Sequence, residues 1–330
     1  MLFFNSMIMG TLITISSYNW FMMWIGLEIN LLSIIPLFKS QTNSYPVEAT
    51  LKYFITQALA STIILFTIII SMNSMESLVN FNYWLMMILN SAILTKLGAA
   101  PFHYWFPEVM EGLNWLNSLL LLTWQKLAPM ILLMYNLNMS IFFSMIIILS
   151  SIISSIMGIN QVSLRKIMSY SSINHIAWML ASMLNFKNIW LMYFSIYTII
   201  SMNIIFIFLY LNIYFIPQLF LILNKNKMIK FMFMLNFFSL GGLPPFLGFF
   251  PKWLVINNLI QNNFYFLSII LIISTLITLF YYIRLTLPSM TLNYSESTIF
   301  TQKIMEYKII IFNMISIFGL IICTNIFSYF

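Results

Sequence analysis

A chain of 330 residues that is 62% hydrophobic and only 6% charged cannot solvate itself as a soluble domain. It reads as an all-α polytopic membrane protein, and at about 20 residues per span the length holds about 11 spans. The formal charge of +7 is then assigned to loops held on one membrane side, not to a nucleic-acid partner.

In chain order, spans are expected near 1–17, 20–38, 48–71, 82–98, 113–135, 139–158, 165–184, 188–211, 229–260, 264–287 and 307–328. The start, Met1-Leu2-Phe3-Phe4-Asn5, has no basic region and reads as neither a secretory signal nor a transit peptide. The fourth span runs into Gly98-Ala99-Ala100-Pro101-Phe102-His103-Tyr104-Trp105-Phe106-Pro107, which must interrupt it. Its continuation is expected along the membrane edge into Glu108 and Glu111. The ninth is too long for one unbroken helix and carries Gly241-Gly242-Leu243-Pro244-Pro245-Phe246-Leu247-Gly248. Tandem prolines remove donors and clash with the preceding turn, so this span breaks as well. The single cysteine, Cys323, excludes an internal disulfide or a Cys cluster.

Charge tests the span count. With the N-terminus on one side and strict alternation, that side carries Lys39, Lys52, Arg165, Lys166, Lys225, Lys227, Lys230, Arg284, Lys303 and Lys308. The other carries Lys187. The richer side is the matrix or cytoplasmic one, and the C-terminus falls opposite. The two interruptions lie five spans apart, an odd offset, so two five-helix units in series would be inverted, as in transporters with paired broken helices. Abundant Phe, Met, Tyr, Ile and Asn with scarce Gly, Pro and Ala also match A/T-rich codons, as in an animal mitochondrial genome.

Four charges lie deep in apolar text: Glu28, Lys96, Lys126 and Lys252. A charge at mid-membrane costs roughly 2.5–3.5 kcal/mol on insertion scales, so such groups mark ion or proton pathways. Burial disfavours the charged form and an opposite charge restores it, which lets a buried Lys exchange a proton near neutral pH. The competing reading is a snorkelling Lys with its ammonium at the interface, and for Glu28 a polar pair that only locks helices. His175, within Ser171-Ser172-Ile173-Asn174-His175, is either a neutral imidazole relay or a packed, hydrogen-bonded histidine. His103 reads as structural. No Gly-rich phosphate loop, Cys cluster or metal-ligand spacing is present.

Trp24-Ile25-Gly26-Leu27-Glu28-Ile29-Asn30, Lys96-Leu97-Gly98-Ala99-Ala100-Pro101-Phe102-His103, Thr123-Trp124-Gln125-Lys126-Leu127-Ala128-Pro129 and Gly241-Gly242-Leu243-Pro244-Pro245-Phe246-Leu247-Gly248-Phe249 resemble the mitochondrially encoded antiporter-like subunits of respiratory complex I, in an insect-like form. The resemblance covers essentially the whole chain. It implies a first five-helix bundle over 1–136, a second inverted bundle over 137–290, and a matrix-side loop with a C-terminal helix over 291–330. It further implies a Glu–Lys pair at Glu28 and Lys96, a central Lys126, a bridging His175 and a terminal Lys252, together relaying protons from matrix to intermembrane space. NADH, FMN, iron–sulfur clusters and ubiquinone are implied in other subunits, with no redox centre or cofactor in this chain. Expected partners are the other membrane-arm subunits, antiporter-like neighbours, accessory subunits and lipids such as cardiolipin. The expected location is the inner membrane, N-terminus to the matrix and C-terminus to the intermembrane space. Rival readings are a free-standing sodium/proton antiporter, a haem-binding redox subunit, for which two histidines are too few, and a structural spacer.

Overall fold

The computed structural model describes residues 1–38, 44–73, 79–184, 187–223, 227–244, 246–291 and 313–314. Fourteen helices and one isolated bridge, Ser163 with Phe215, make up the regular structure among these residues, with no strands. Six stretches are long and apolar enough to cross a membrane: Trp20–Phe38, Tyr45–Met72, Trp115–Tyr135, Ser140–Ile159, Lys187–Leu211 and Tyr265–Leu287. Leu2–Ser16 and Tyr83–Leu97 are shorter apolar helices. The chain is therefore an all-helical membrane protein. The last expected span, 307–328, lies outside the described residues except for Asn313 and Met314, which are helical. Pro245 also lies outside them.

The chain divides into two compact units, Met1–Ile146 and Ile147–Phe330. In the first, α1 (Leu2–Ser16) and α2 (Trp20–Phe38) meet at two glycines. A Cβ on Gly10 would lie 2.9 Å from the Asn30 nitrogen, and one on Gly26 only 2.6 Å from Thr14 Cγ2. Small residues let the two backbones approach this closely, which fixes the helix that bears Glu28 and Asn30. Next come α3 (Tyr45–Asn73), α4 (Val79–Leu97), α5 (Trp105–Gly112), α6 (Trp115–Leu122) and α7 (Trp124–Tyr135). The stretch read from sequence as one span over 113–135 is divided at Thr123, with φ −112° and ψ −70°. The Thr123 hydroxyl donates to the Leu119 carbonyl at 2.7 Å, the same oxygen its own N–H reaches. Such back-bonding bends a helix. Pro129, six positions further on, has no N–H to give the Gln125 carbonyl.

Helix α8 (Ser140–Ile159) leads into the second unit, with α9 (Leu164–Met183), α10 (Lys187–Leu211), α11 (Ile216–Leu223), α12 (Lys227–Gly241), α13 (Phe249–Gln261) and α14 (Tyr265–Thr291). Every residue from Ile167 to Met183 of α9 is buried. This helix carries Ser169, Ser171, Ser172, Asn174, His175 and Ser182, and is therefore less apolar than a lipid-facing span. A helix enclosed by its neighbours has no need of a lipid-compatible face.

The two interruptions share one backbone pattern at a spacing of 144 positions (242 minus 98). Both helices end on a glycine with positive φ, Gly98 at +74° and Gly242 at +76°. In the first, Ala99 N–H reaches the Leu94 carbonyl and Gly98 N–H that of Thr95; in the second, Leu243 reaches Phe238 and Gly242 reaches Ser239. This is the Schellman closure, in which a left-handed residue turns the last amides back onto the helix end. Phe102→Ala99 and Phe246→Leu243 follow, then Phe106→His103 and Phe250→Leu247. The next helices open on Trp105-Phe106-Pro107-Glu108 and Phe249-Phe250-Pro251-Lys252. Helix α9 likewise starts at Leu164, 144 positions after α2 starts at Trp20.

Candidate functional site

The first unit holds Glu28, Lys96 and Lys126. Glu28 projects from α2, and its Oε1 is buried with no hydrogen-bond partner. Among the described residues no ion pair joins it to Lys96, at the end of α4. Lys96 is 7% exposed. Its carbonyl, released by the end of α4, accepts a bond from Gln57 Nε2 of α3 at 3.4 Å. Lys126, 2% exposed, stands between the Thr123 irregularity and Pro129 with its Nζ 5.7 Å from the centre of the Phe106 ring.

In the same unit, lining one space with Lys96, is an amide pair that sequence reading did not single out. Asn30 Nδ2 donates to Gln125 Oε1 and Gln125 Nε2 donates to Asn30 Oδ1, both at 3.0 Å. The Tyr53 hydroxyl also reaches Gln125 Oε1 at 3.4 Å. The signal was present, since Asn30 and Gln125 stand two and one positions from Glu28 and Lys126 in otherwise apolar helices. Polar side chains inside a span seek partners on neighbouring helices.

The second unit holds His175 and Lys252. His175 Nδ1 is 2.8 Å from the Tyr193 hydroxyl, and its ring lies 5.0 Å from that of Tyr197, both on α10. Trp178, one turn along α9 from His175, has its ring centre 5.9 Å from Lys252 Nζ. Lys252 also closes the end of α12. Its Nζ donates to the carbonyls of Leu240 at 3.0 Å and Gly241 at 2.9 Å. With Phe238 and Ser239 occupied by the glycine turn, the last four carbonyls of α12 are all satisfied. A cation at a helix C-terminus is also favoured by the helix dipole. The site exists because residue 242 is glycine: a Cβ there would stand 2.7 Å from Lys252 Cδ and 3.0 Å from Nζ.

This cap has a chemical consequence. An ammonium carries three N–H donors, and a neutral amine keeps two. Two carbonyls are served in either state, so the third proton can leave without orphaning a buried acceptor. At the first interruption, neutral donors do this work: Trp105 Nε1 on the Thr95 carbonyl at 3.0 Å, and Gln57 on that of Lys96. The position matching Lys252 is Glu108, exposed and paired with Lys52 at 3.0 Å. Glu48 joins the same Lys52 at 3.0 Å. His103, in the turn after α4, keeps its Nδ1 3.3 Å from the Pro101 carbonyl. Burial lowers its pKa from the usual 6.5, against the opposing pull of that carbonyl.

The family model described as NADH:quinone oxidoreductase/Mrp antiporter, TM, matches residues 17–278. The chain belongs to this antiporter family. Among its relatives, the chain is similar to NADH-ubiquinone oxidoreductase chain 2 of Aedes aegypti, at 50% identity over 99% of this chain and 97% of that one. It is also similar to the same-named protein of Anopheles gambiae, at 48% identity over 99% and 97%. The antiporter-family fold also superposes on a chain of respiratory complex I from Thermus thermophilus with bound aureothin, with a TM-score of 0.86 at 20% identity. That match spans 97% of this chain and 77% of the other.

Proposed function

We propose that this chain is a proton-translocating membrane-arm subunit of mitochondrial complex I. NADH oxidation and ubiquinone reduction belong to other subunits, which hold the FMN and iron–sulfur clusters. This chain couples that chemistry to proton transfer from matrix to intermembrane space. The observation that carries the reading is the placement of three lysines, each no more than 7% exposed, at helix irregularities: Lys96 after α4 begins its closing turn, Lys126 beside Thr123, and Lys252 on the carbonyls of α12. Charges buried in a span are rare and mark conduction paths. Helix breaks inside a membrane protein are tolerated where the backbone groups they free find partners.

The relay runs as follows. Glu28 changes its charge or its distance from Lys96. Lys96 then releases a proton toward Lys126, and the path continues through His175 to Lys252. His175 accepts at one ring nitrogen while Nδ1 is held by Tyr193. The matching hydrogen bonds 144 positions apart support an internal duplication, with bundles over 1–136 and 137–290 in inverted orientation and a final helix in 291–330. The N-terminus faces the matrix, the C-terminus the intermembrane space. Neighbouring antiporter-like and accessory subunits, and lipids such as cardiolipin, complete its surroundings. A free-standing antiporter would need a carboxylate-rich ion site, and among the described residues no three His, Cys, Asp or Glu side chains gather.

One observation favours a second reading, a structural spacer: the two bonds from Lys252 are those a purely architectural cap makes. Lys252→Met in an assembled homologous complex, reconstituted in vesicles, separates them. The relay reading expects protons pumped per NADH to fall with assembly intact. Unchanged pumping assigns Lys252 to the cap alone.

A further inference from the structure

A small, partly open space lies beside Lys96. It is lined by Leu27, Asn30, Tyr53, Gln57, Lys96 and Gln125, among others, and its volume is about 10 Å³. That is the scale of one water, which needs a cavity of roughly 10–15 Å³ and two to four polar partners. Four helices bring polar groups to its wall: the Asn30 amide from α2, Tyr53 and Gln57 from α3, Lys96 from α4 and Gln125 from α7. The reciprocal Asn30–Gln125 bonds tie α2 to α7 across it. The buried, unpartnered Oε1 of Glu28 stands two residues from Asn30 on α2.

We propose that this cavity is a binding site for a single water, and that Asn30, Gln57 and Gln125 are positioning residues that hold it against Lys96. The inference rests on the relay reading and deepens it by naming the first acceptor of the Lys96 proton. In that step an Nζ–H bond of Lys96 breaks and an O–H bond forms on the water. The hydronium then returns a proton to the next acceptor, leaving neutral Lys96 and neutral water. The amides are not acid–base groups; they fix the water's orientation. Tyr53 supports them by holding Gln125 Oε1. The pair keeps both amides satisfied, since an orphaned buried amide is costly.

The direct test is an experimental map of an assembled homologous complex, at a resolution that shows waters, in which these residues are present. A density peak within 3.5 Å of Lys96 Nζ and of at least one of the three amides is expected; a dry cavity overturns the proposal. The functional arm compares Gln125→Leu, the double variant Asn30→Leu with Gln125→Leu, and Tyr53→Phe. The double variant removes both amides without orphaning either. Coupled NADH turnover is expected to fall about tenfold in it, with a raised solvent deuterium isotope effect and normal complex abundance. Tyr53→Phe, which keeps the packing, is expected to lower turnover two- to fivefold in the same direction; this variant carries the test if the double one does not assemble. Normal turnover and an unchanged isotope effect in Tyr53→Phe and the double variant make the amides structural and sink the proposal. Lys126→Met in the same background separates the two levels: if it impairs pumping while the amide variants do not, the water station fails and the relay stands.

Discussion

Lys252 shows how one side chain can serve structure and proton exchange together. Its ammonium satisfies two carbonyls and keeps a third proton free. Gly242 makes the seat, so Gly242→Ala is expected to displace the ammonium. The new Cβ meets Lys252, and a non-glycine residue at φ +76° adds roughly 1–2 kcal/mol of backbone strain. Coupled turnover in the assembled complex should drop severalfold, whereas Gly241→Ala, whose Cβ finds its nearest atoms at 3.6 Å, should leave it near normal. Equal effects of the two substitutions would contradict this account of the cap. Tyr193→Phe removes the partner of His175 Nδ1, and an unmade buried hydrogen bond costs about 1–3 kcal/mol. The expected readout is a shifted pH profile of proton pumping; an unchanged profile returns His175 to a packing role.

At the scale of elements, most boundaries were legible because they rest on local chemistry. Apolar runs marked most of the described helices, though six stretches rather than eleven are long and apolar enough to span, and Gly98, Pro101, Gly242 and Pro244 announced the interruptions through backbone limits that need no tertiary context. The bend at Thr123 was not legible. Threonine is common in apolar helices, and whether its hydroxyl bends the chain depends on the bond to Leu119. The enclosure of α9 was equally hidden, since only packing decides that a polar helix is surrounded on all sides. The four charges and His175 stood out as exceptions in apolar text, but their neighbours did not: Phe106 beside Lys126, Trp178 beside Lys252 and Tyr193 beside His175 are ordinary aromatic residues until the fold brings them into range. Two predictions belong here. Gly26→Val places methyls against Thr14 and the Gly10 carbonyl, and overpacking of this kind costs roughly 1–3 kcal/mol. The amount of assembled complex on a native gel should fall, and normal abundance would show that α1 can move aside. Thr123→Val keeps the shape and removes the back-bond. It is expected to leave abundance unchanged and reduce pumping; full pumping would make the bend incidental to Lys126.

Across the whole molecule, Glu28, Lys96 and Lys126 lie in one compact unit and His175 and Lys252 in the other, and each unit contains an interruption with the same backbone closure. The duplication proposed above accounts for the matching closures; the chemistry at each differs. One carries its lysine before the break and is capped by the neutral Trp105 and Gln57; the other puts the lysine on the cap itself. The proposed orientation is checked by an epitope at the C-terminus, which should be reached by antibody in mitoplasts with the inner membrane intact. Detection only after that membrane is opened would reverse the topology.

In the relay proposed above, these groups form one path through which protons are driven. It is tested most directly with Lys126→Met, which keeps much of the side-chain volume at a 2% exposed position and removes the exchangeable proton. The ratio of protons pumped to NADH oxidised is measured in vesicles carrying the assembled homologous complex. The account predicts normal assembly with a lowered ratio and slower coupled turnover. A normal ratio in a fully assembled complex would contradict it and leave this chain as a spacer.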